Sequence, residues 1–169
     1  MTVLAAIEQT ALSVWVREAP TLLAFPFILF LHTLGLGFLV GINVAVNLWI
    51  LGFAHRHPIA PMQQLIPIMW LGFIVNAISG CLLLIAYPTK ALTDPVFYIK
   101  IAMIMTAVFL LQWTDREVFV KANPEHVFEP RKKVRRVAMI TLALWSGAIL
   151  TGRLLAYTYN ILMASDVLS

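Results

Sequence analysis

The sequence predicts an all-α integral membrane protein: a four-helix up-down bundle preceded by a short amphipathic segment. Three observations carry this. Of 169 residues, 61% are hydrophobic and only 12% charged, and the mean hydropathy is +0.88. A soluble domain is about half apolar and a quarter charged, so this chain lacks the polar surface to cover itself in water. Its apolar residues also gather into four runs of the length a bilayer needs, roughly 20 residues each. Finally, the runs are separated by short stretches rich in proline or in basic residues. The size suits a single membrane domain over residues 1–169. An ordinary soluble enzyme, a disordered chain and a disulfide scaffold are excluded; the lone Cys81 pairs with nothing internally.

Before the first run, Leu4, Ile7, Leu12 and Trp15 recur at helical spacing between Val3 and Ala19, with Glu8, Arg17 and Glu18 among them. This reads as a short amphipathic helix lying at the membrane interface. No basic residue precedes Arg17, so the segment lacks the positive start of a signal peptide and is expected to be retained. The first span lies within residues 22–54 and is longer than a bilayer requires, which implies tilt or projection. Pro26 suits its first turn. The second span covers residues 65–87, the third 96–114 and the fourth 137–157. Lipid offers no partner to open backbone, and strand-like alternation is absent, so all four are helices. Short connections make consecutive helices antiparallel neighbours.

The net charge of +4 does not indicate nucleic-acid binding. Five of the twelve basic residues, Arg131, Lys132, Lys133, Arg135 and Arg136, sit in one stretch between the third and fourth runs. Basic residues there are a topology signal, not a groove-reading element. Together with Arg116 and Lys121 they place that connection in the cytoplasm. Alternation puts His55-Arg56-His57-Pro58 on the same side, and residues 88–95 and both termini outside. In a bacterium this is a multi-pass inner-membrane protein with periplasmic termini.

Ionisable groups inside a span are costly and ask for a reason. His32, Lys100 and Arg153 come from three different spans and all fall towards the outer leaflet. At about 100° per residue, His32 shares a face with Gly35, Leu39, Asn43 and Asn47. On the second span Gly72, Asn76, Ser79 and Gly80 form one stripe. Lys100 lies above Met103, Ala107 and Leu111 on the third. Leu142, Ser146, Ile149, Arg153 and Tyr157 align on the fourth. These faces are expected to meet inside the bundle, where small residues permit close approach and polar groups find partners. Each residue also has a plainer reading: the Asn and Ser side chains as interhelical hydrogen-bond glue, Lys100 and Arg153 as snorkelling cations, His32 as a hydrogen-bonded core histidine, and Met103 as packing. Gly37 and Gly41, nearly opposite His32, make a GxxxG that suggests a second packing surface. His55, His57 and His126 read as loop residues.

A pocket with one imidazole, a lysine and an arginine suits haem b, with His32 on iron and Lys100 and Arg153 on the propionates. It also suits copper held by His32 and Met103, or an anionic headgroup. Motifs for hydrolytic or phosphate chemistry are absent, and Asp115 and Glu117 sit beside Arg116 at a span end, so a non-enzymatic role is expected. The chemistry allowed is that of an accessory or anchor subunit in a larger membrane complex or homo-oligomer, with the lipid bilayer as its first partner. A purely structural subunit and a copper permease are the alternatives.

The runs Leu31-His32-Thr33-Leu34-Gly35 with Gly41 and Asn47-Leu48-Trp49-Ile50-Leu51-Gly52 resemble the first helix of small bacterial membrane proteins related to the CopD copper-resistance and cytochrome b561-like group. Trp70-Leu71-Gly72-Phe73 with Ser79-Gly80, residues 95–100, and Trp145-Ser146-Gly147 with Thr151-Gly152-Arg153 resemble its second, third and fourth helices. The resemblance implies a four-helix inner-membrane domain with recurrent polar positions at His32, Lys100 and Arg153, and an association with copper handling or electron transfer. The cytochromes of that group hold two haems on four histidines. This chain carries one histidine in its spans, so at most one haem is expected.

Overall fold

A computed structural model describes residues 3–21, 23–53, 59–120 and 131–168; for Val3, residues 59–61, Lys90, and residues 119–120 and 155–168 it describes backbone only. Every element among the described residues is helical, as the composition predicts. The order is α1 (Val3–Glu8), α2 (Ala11–Glu18), α3 (Phe25–Leu51), α4 (Ile59–Ala86), α5 (Pro88–Thr93), α6 (Pro95–Asp115) with a π-helical turn at Arg116–Val120, and α7 (Lys132–Leu168). Four of these carry segments long and apolar enough to cross a bilayer: Phe25–Leu51, Met62–Ala86, Pro95–Val118 and Lys132–Leu154. Large apolar side chains such as Phe30, Leu71, Phe109 and Leu150 are exposed along them. A surface of that kind belongs in lipid, and the chain is a multi-pass membrane protein.

The ends differ from expectation for local reasons. The N-terminal segment is two helices, not one. Thr10 breaks it: its Oγ1 accepts from the Ser13 N–H at 3.4 Å and donates to the Ile7 carbonyl at 2.7 Å, an N-cap that competes with continued helix. α4 starts at Ile59, ahead of residue 65, because Pro61 falls within its first turn, where a missing N–H costs little. Pro67 sits inside the helix and leaves the carbonyl four residues earlier without its usual donor, a defect that membrane helices tolerate. α6 opens on Pro95 at its first position, with the Asp94 carboxylate accepting from the Val96 N–H at 2.8 Å. α7 begins at Lys132, so most of the basic stretch expected in a loop is the first turn and a half of a helix.

The chain divides into two compact units, Met1–Val46 with Arg56–Thr93 and Asn47–His55 with Asp94–Ser169. In the first, α3 and α4 run antiparallel and cross where glycine faces glycine. A Cβ on Gly35 would stand 2.7 Å from the Asn76 nitrogen and the Gly72 carbonyl; one on Gly72 would stand 3.0 Å from the Gly35 carbonyl. Backbone meets backbone there, which only small residues allow. Val16, Ile28 and Ala86 form a small core with Phe25, Leu82 and Leu83. α2 is tied to the end of α4 as well: Ser13 Oγ and Arg17 Nη1 donate to the Ala86 carbonyl at 3.4 and 3.5 Å. Glu8 accepts from the Thr89 N–H at 3.2 Å, at the start of α5. An arginine thus meets the negative end of one helix and a glutamate the positive end of the next.

In the second unit α6 and α7 pack antiparallel along their length. Met103 is seated in the notch that Gly147 leaves on α7. α6 buries Ala107, Leu111 and Thr114, and α7 buries Val134, Ala138, Thr141, Trp145 and Ala148. The spacing of this last set is 4, 3, 4, 3, the two-per-heptad seam of closely packed helices.

Candidate functional site

The candidate site is built around His32 in the first unit. α3 turns the predicted stripe inward: Gly35, Leu39, Asn43 and Asn47 are all buried and His32 is half-buried. α4 presents its own predicted stripe to this face. The His32 Nδ1 lies 3.0 Å from the backbone carbonyl of Asn76 and 3.2 Å from Ser79 Oγ. A carbonyl oxygen only accepts, so Nδ1 carries the proton and donates to it, and in the neutral ring Nε2 bears the lone pair. Ser79 Oγ donates to the Val75 carbonyl at 2.6 Å, which leaves its lone pairs facing the ring. The Asn76 side chain answers in the other direction, Nδ2 donating to the His32 carbonyl at 2.8 Å. Beneath the ring lies Gly80, where a Cβ would come within 3.1 Å of His32 Cε1. Asn76, Ser79 and Gly80, from one stripe of α4, therefore set the tautomer, the orientation and the room of one imidazole.

Lys100, Met103 and Arg153 belong to the second unit. The Lys100 stem runs over Gly152, where a Cβ would lie 3.6 Å from both Cε and Nζ. Arg153, the next residue on α7, is exposed. The inward face expected for the fourth span is corrected here. Ser146, Ile149 and Arg153 are on the exposed side, and the buried seam is the one through Thr141, Trp145 and Ala148. Bulk and shape decide the rotation of this helix: Trp145 and the alanines interlock on the buried face, and an arginine near the span's end can reach a polar environment from the outer face. Met103 is a packing residue on Gly147 in this arrangement. A Cβ on Gly37 or Gly41 would have nothing within 4 Å of it, and Gly37 borders an open groove with Phe30, Thr33, Leu34 and Phe38.

Sequence reasoning passed over two features. Trp145 is 1% exposed and its indole Nε1 has no hydrogen-bond partner among the described residues. The heptad spacing around it was the available signal. The Ser13–Arg17–Ala86 staple was not foreseeable, since it joins residues 73 and 69 positions apart. His55, His57, His126, Lys121 and the Tyr157 side chain lie outside what is described.

The donor set can be weighed against the groups the sequence suggested. An imidazole whose Nδ1–H is held by a carbonyl is the usual state of a metal-ligating histidine, which binds through Nε2. Such a ring would supply a single nitrogen ligand to a haem iron. A copper site needs more donors, and no cluster of three or more His, Cys, Asp or Glu side chains occurs among the described residues. Cys81 is exposed on its helix. Compared with known protein families, curated sequences and solved structures, the chain matches none.

Proposed function

We propose that this protein is an accessory or anchor subunit of a redox or metal-handling system in the bacterial inner membrane, with His32 holding a single haem b. The observation that supports this is the fixed imidazole: Nδ1 bound to the Asn76 carbonyl and Ser79, with Gly80 left bare beneath the ring. Kinship with CopD-related proteins belongs to the same proposal. The basic stretch at the start of α7 supports an orientation with that end in the cytoplasm and both termini outside. When bound, haem would supply one-electron chemistry; the chain's part is to ligate, to orient and to keep water away.

The test is an absorption spectrum and metal analysis of gently purified protein. A Soret band with stoichiometric iron, lost in His32→Ala while helix content and yield persist, is the expected result. A colourless, iron-free wild type, with haem supplied during expression, overturns it.

A second reading has its own support. The reciprocal His32–Asn76 bonds and the Gly35–Gly72 crossing are also what a purely structural subunit would use to join two helices. It predicts a colourless protein whose His32→Ala variant loses thermal stability and nothing else.

A further inference from the structure

We infer that the start of α7 is a binding site for the headgroups of anionic phospholipids. Arg131, Lys132, Lys133, Arg135 and Arg136 are all exposed, and the first turn of the helix contains no acidic residue. At about 100° per residue these five side chains cover roughly 200° of the helix surface, on the side away from Val134. Val134 is buried. Two of the five are engaged within the protein. Arg135 Nη2 donates to the Leu51 carbonyl at 3.0 Å, and the Lys133 ammonium lies 5.2 Å from the centre of the Trp113 ring. The side chains of Arg131, Lys132 and Arg136 make no ion pair or hydrogen bond among the described residues.

Lys132 and Arg136 stand four residues apart, like charges on adjacent turns, a spacing that repels. A phosphodiester between them turns that repulsion into two attractions. Depth selects the source of the phosphate. The apolar segment that begins at Lys132 puts all three cations within about one turn of the hydrocarbon edge, where lipid phosphates lie. A zwitterionic headgroup brings its own cation to this place, and an anionic one does not. Charge complementarity therefore favours an anionic lipid. Three cations near such a surface give about a hundredfold preference. The inference does not rest on His32.

The experiment titrates the detergent-purified full chain with phosphatidylglycerol, with phosphatidylcholine, or with inorganic phosphate, and counts bound molecules by native mass spectrometry. The expected result is saturable retention of phosphatidylglycerol, about a hundredfold tighter than phosphatidylcholine. Equal retention of the two lipids by the wild type overturns the proposal, as does inorganic phosphate binding as tightly as phosphatidylglycerol. The triple variant R131Q/K132Q/R136Q is expected to lose the preference, whereas Lys133→Gln keeps most of it. Should the triple variant fail to insert, the wild-type arms decide the question alone.

Discussion

At the scale of single residues, the imidazole of His32 is held by contacts from one stripe of α4. Its ring is held from one side by Asn76 and Ser79 and lies close over Gly80, where a Cβ would come within 3.1 Å of Cε1. Gly80→Ala is expected to push the ring by a few tenths of an ångström with the fold intact, and on the haem reading to shift or weaken the Soret band. Asn76→Leu keeps the backbone carbonyl that accepts from Nδ1 but removes the bond to the His32 carbonyl. Interhelical bonds in membranes are worth about 0.6–1.7 kcal/mol, and a loss of that size in detergent thermal unfolding is the expected outcome. Trp145 offers a different contrast. Its buried Nε1–H has no partner among the described residues. Such a group costs about 1–3 kcal/mol, so Trp145→Phe, which removes it and keeps a ring, should stay within about 1 kcal/mol of the wild type. Trp145→Ala should lose about 3–5 kcal/mol through the cavity it opens. Comparable losses in both variants would show that the indole N–H is satisfied.

At the scale of elements, helix pairing is decided by where glycines stand, not by how many there are. Gly35 and Gly72 bring two backbones into contact, while Gly37 and Gly41 face open space on the same helix as Gly35. Gly35→Ala forces α3 and α4 apart, since the atoms it would strike are backbone. Gly147→Ala strikes only the flexible end of Met103, which has room to change rotamer. Gly37→Ala strikes nothing and gains helix propensity of about 0.5–1 kcal/mol. Thermal unfolding of the three variants should therefore rank Gly35→Ala well below Gly147→Ala, with Gly37→Ala at or above the wild type. A destabilised Gly37→Ala would mean that the open groove is covered in the sample. The short helices α1 and α2 follow another rule. They answer the leftover carbonyl of Ala86 and the leftover N–H of Thr89 with Ser13, Arg17 and Glu8.

At the scale of the whole molecule, hydrophobicity is turned outward. Phe109 and Leu23 are both 67% exposed, and residues of this kind recur along the long helices. In water such a surface would aggregate; in lipid it is the solvated side. Orientation is the property to measure at this scale. If the proposed orientation holds, with the basic start of α7 in the cytoplasm, a reporter enzyme active only in the periplasm should work when fused to the C-terminus and fail when inserted after residue 124. The reverse pattern would invert the assignment. Cys81, exposed on a span, should resist a water-soluble maleimide in intact membranes and react with a membrane-permeable one.

Much of this protein was written in the local pattern of its residues. Four apolar runs determine four helices because a bilayer tolerates little else, and the paired stripes of α3 and α4 were readable because small and polar residues there coincide on one face. Pro95 and Pro26 mark helix starts by the same kind of local chemistry. α7 shows where such reading stops. Ser146 and Arg153 form as regular a stripe as Trp145 and Ala148, and periodicity alone cannot choose between two faces of one helix. The choice was made by packing, since a bulky ring and small neighbours interlock and an arginine near the edge of the bilayer reaches a polar environment by itself. The join between α2 and the end of α4 was likewise beyond the sequence, because a carbonyl left over at one helix end finds its donors only once distant parts of the chain have met.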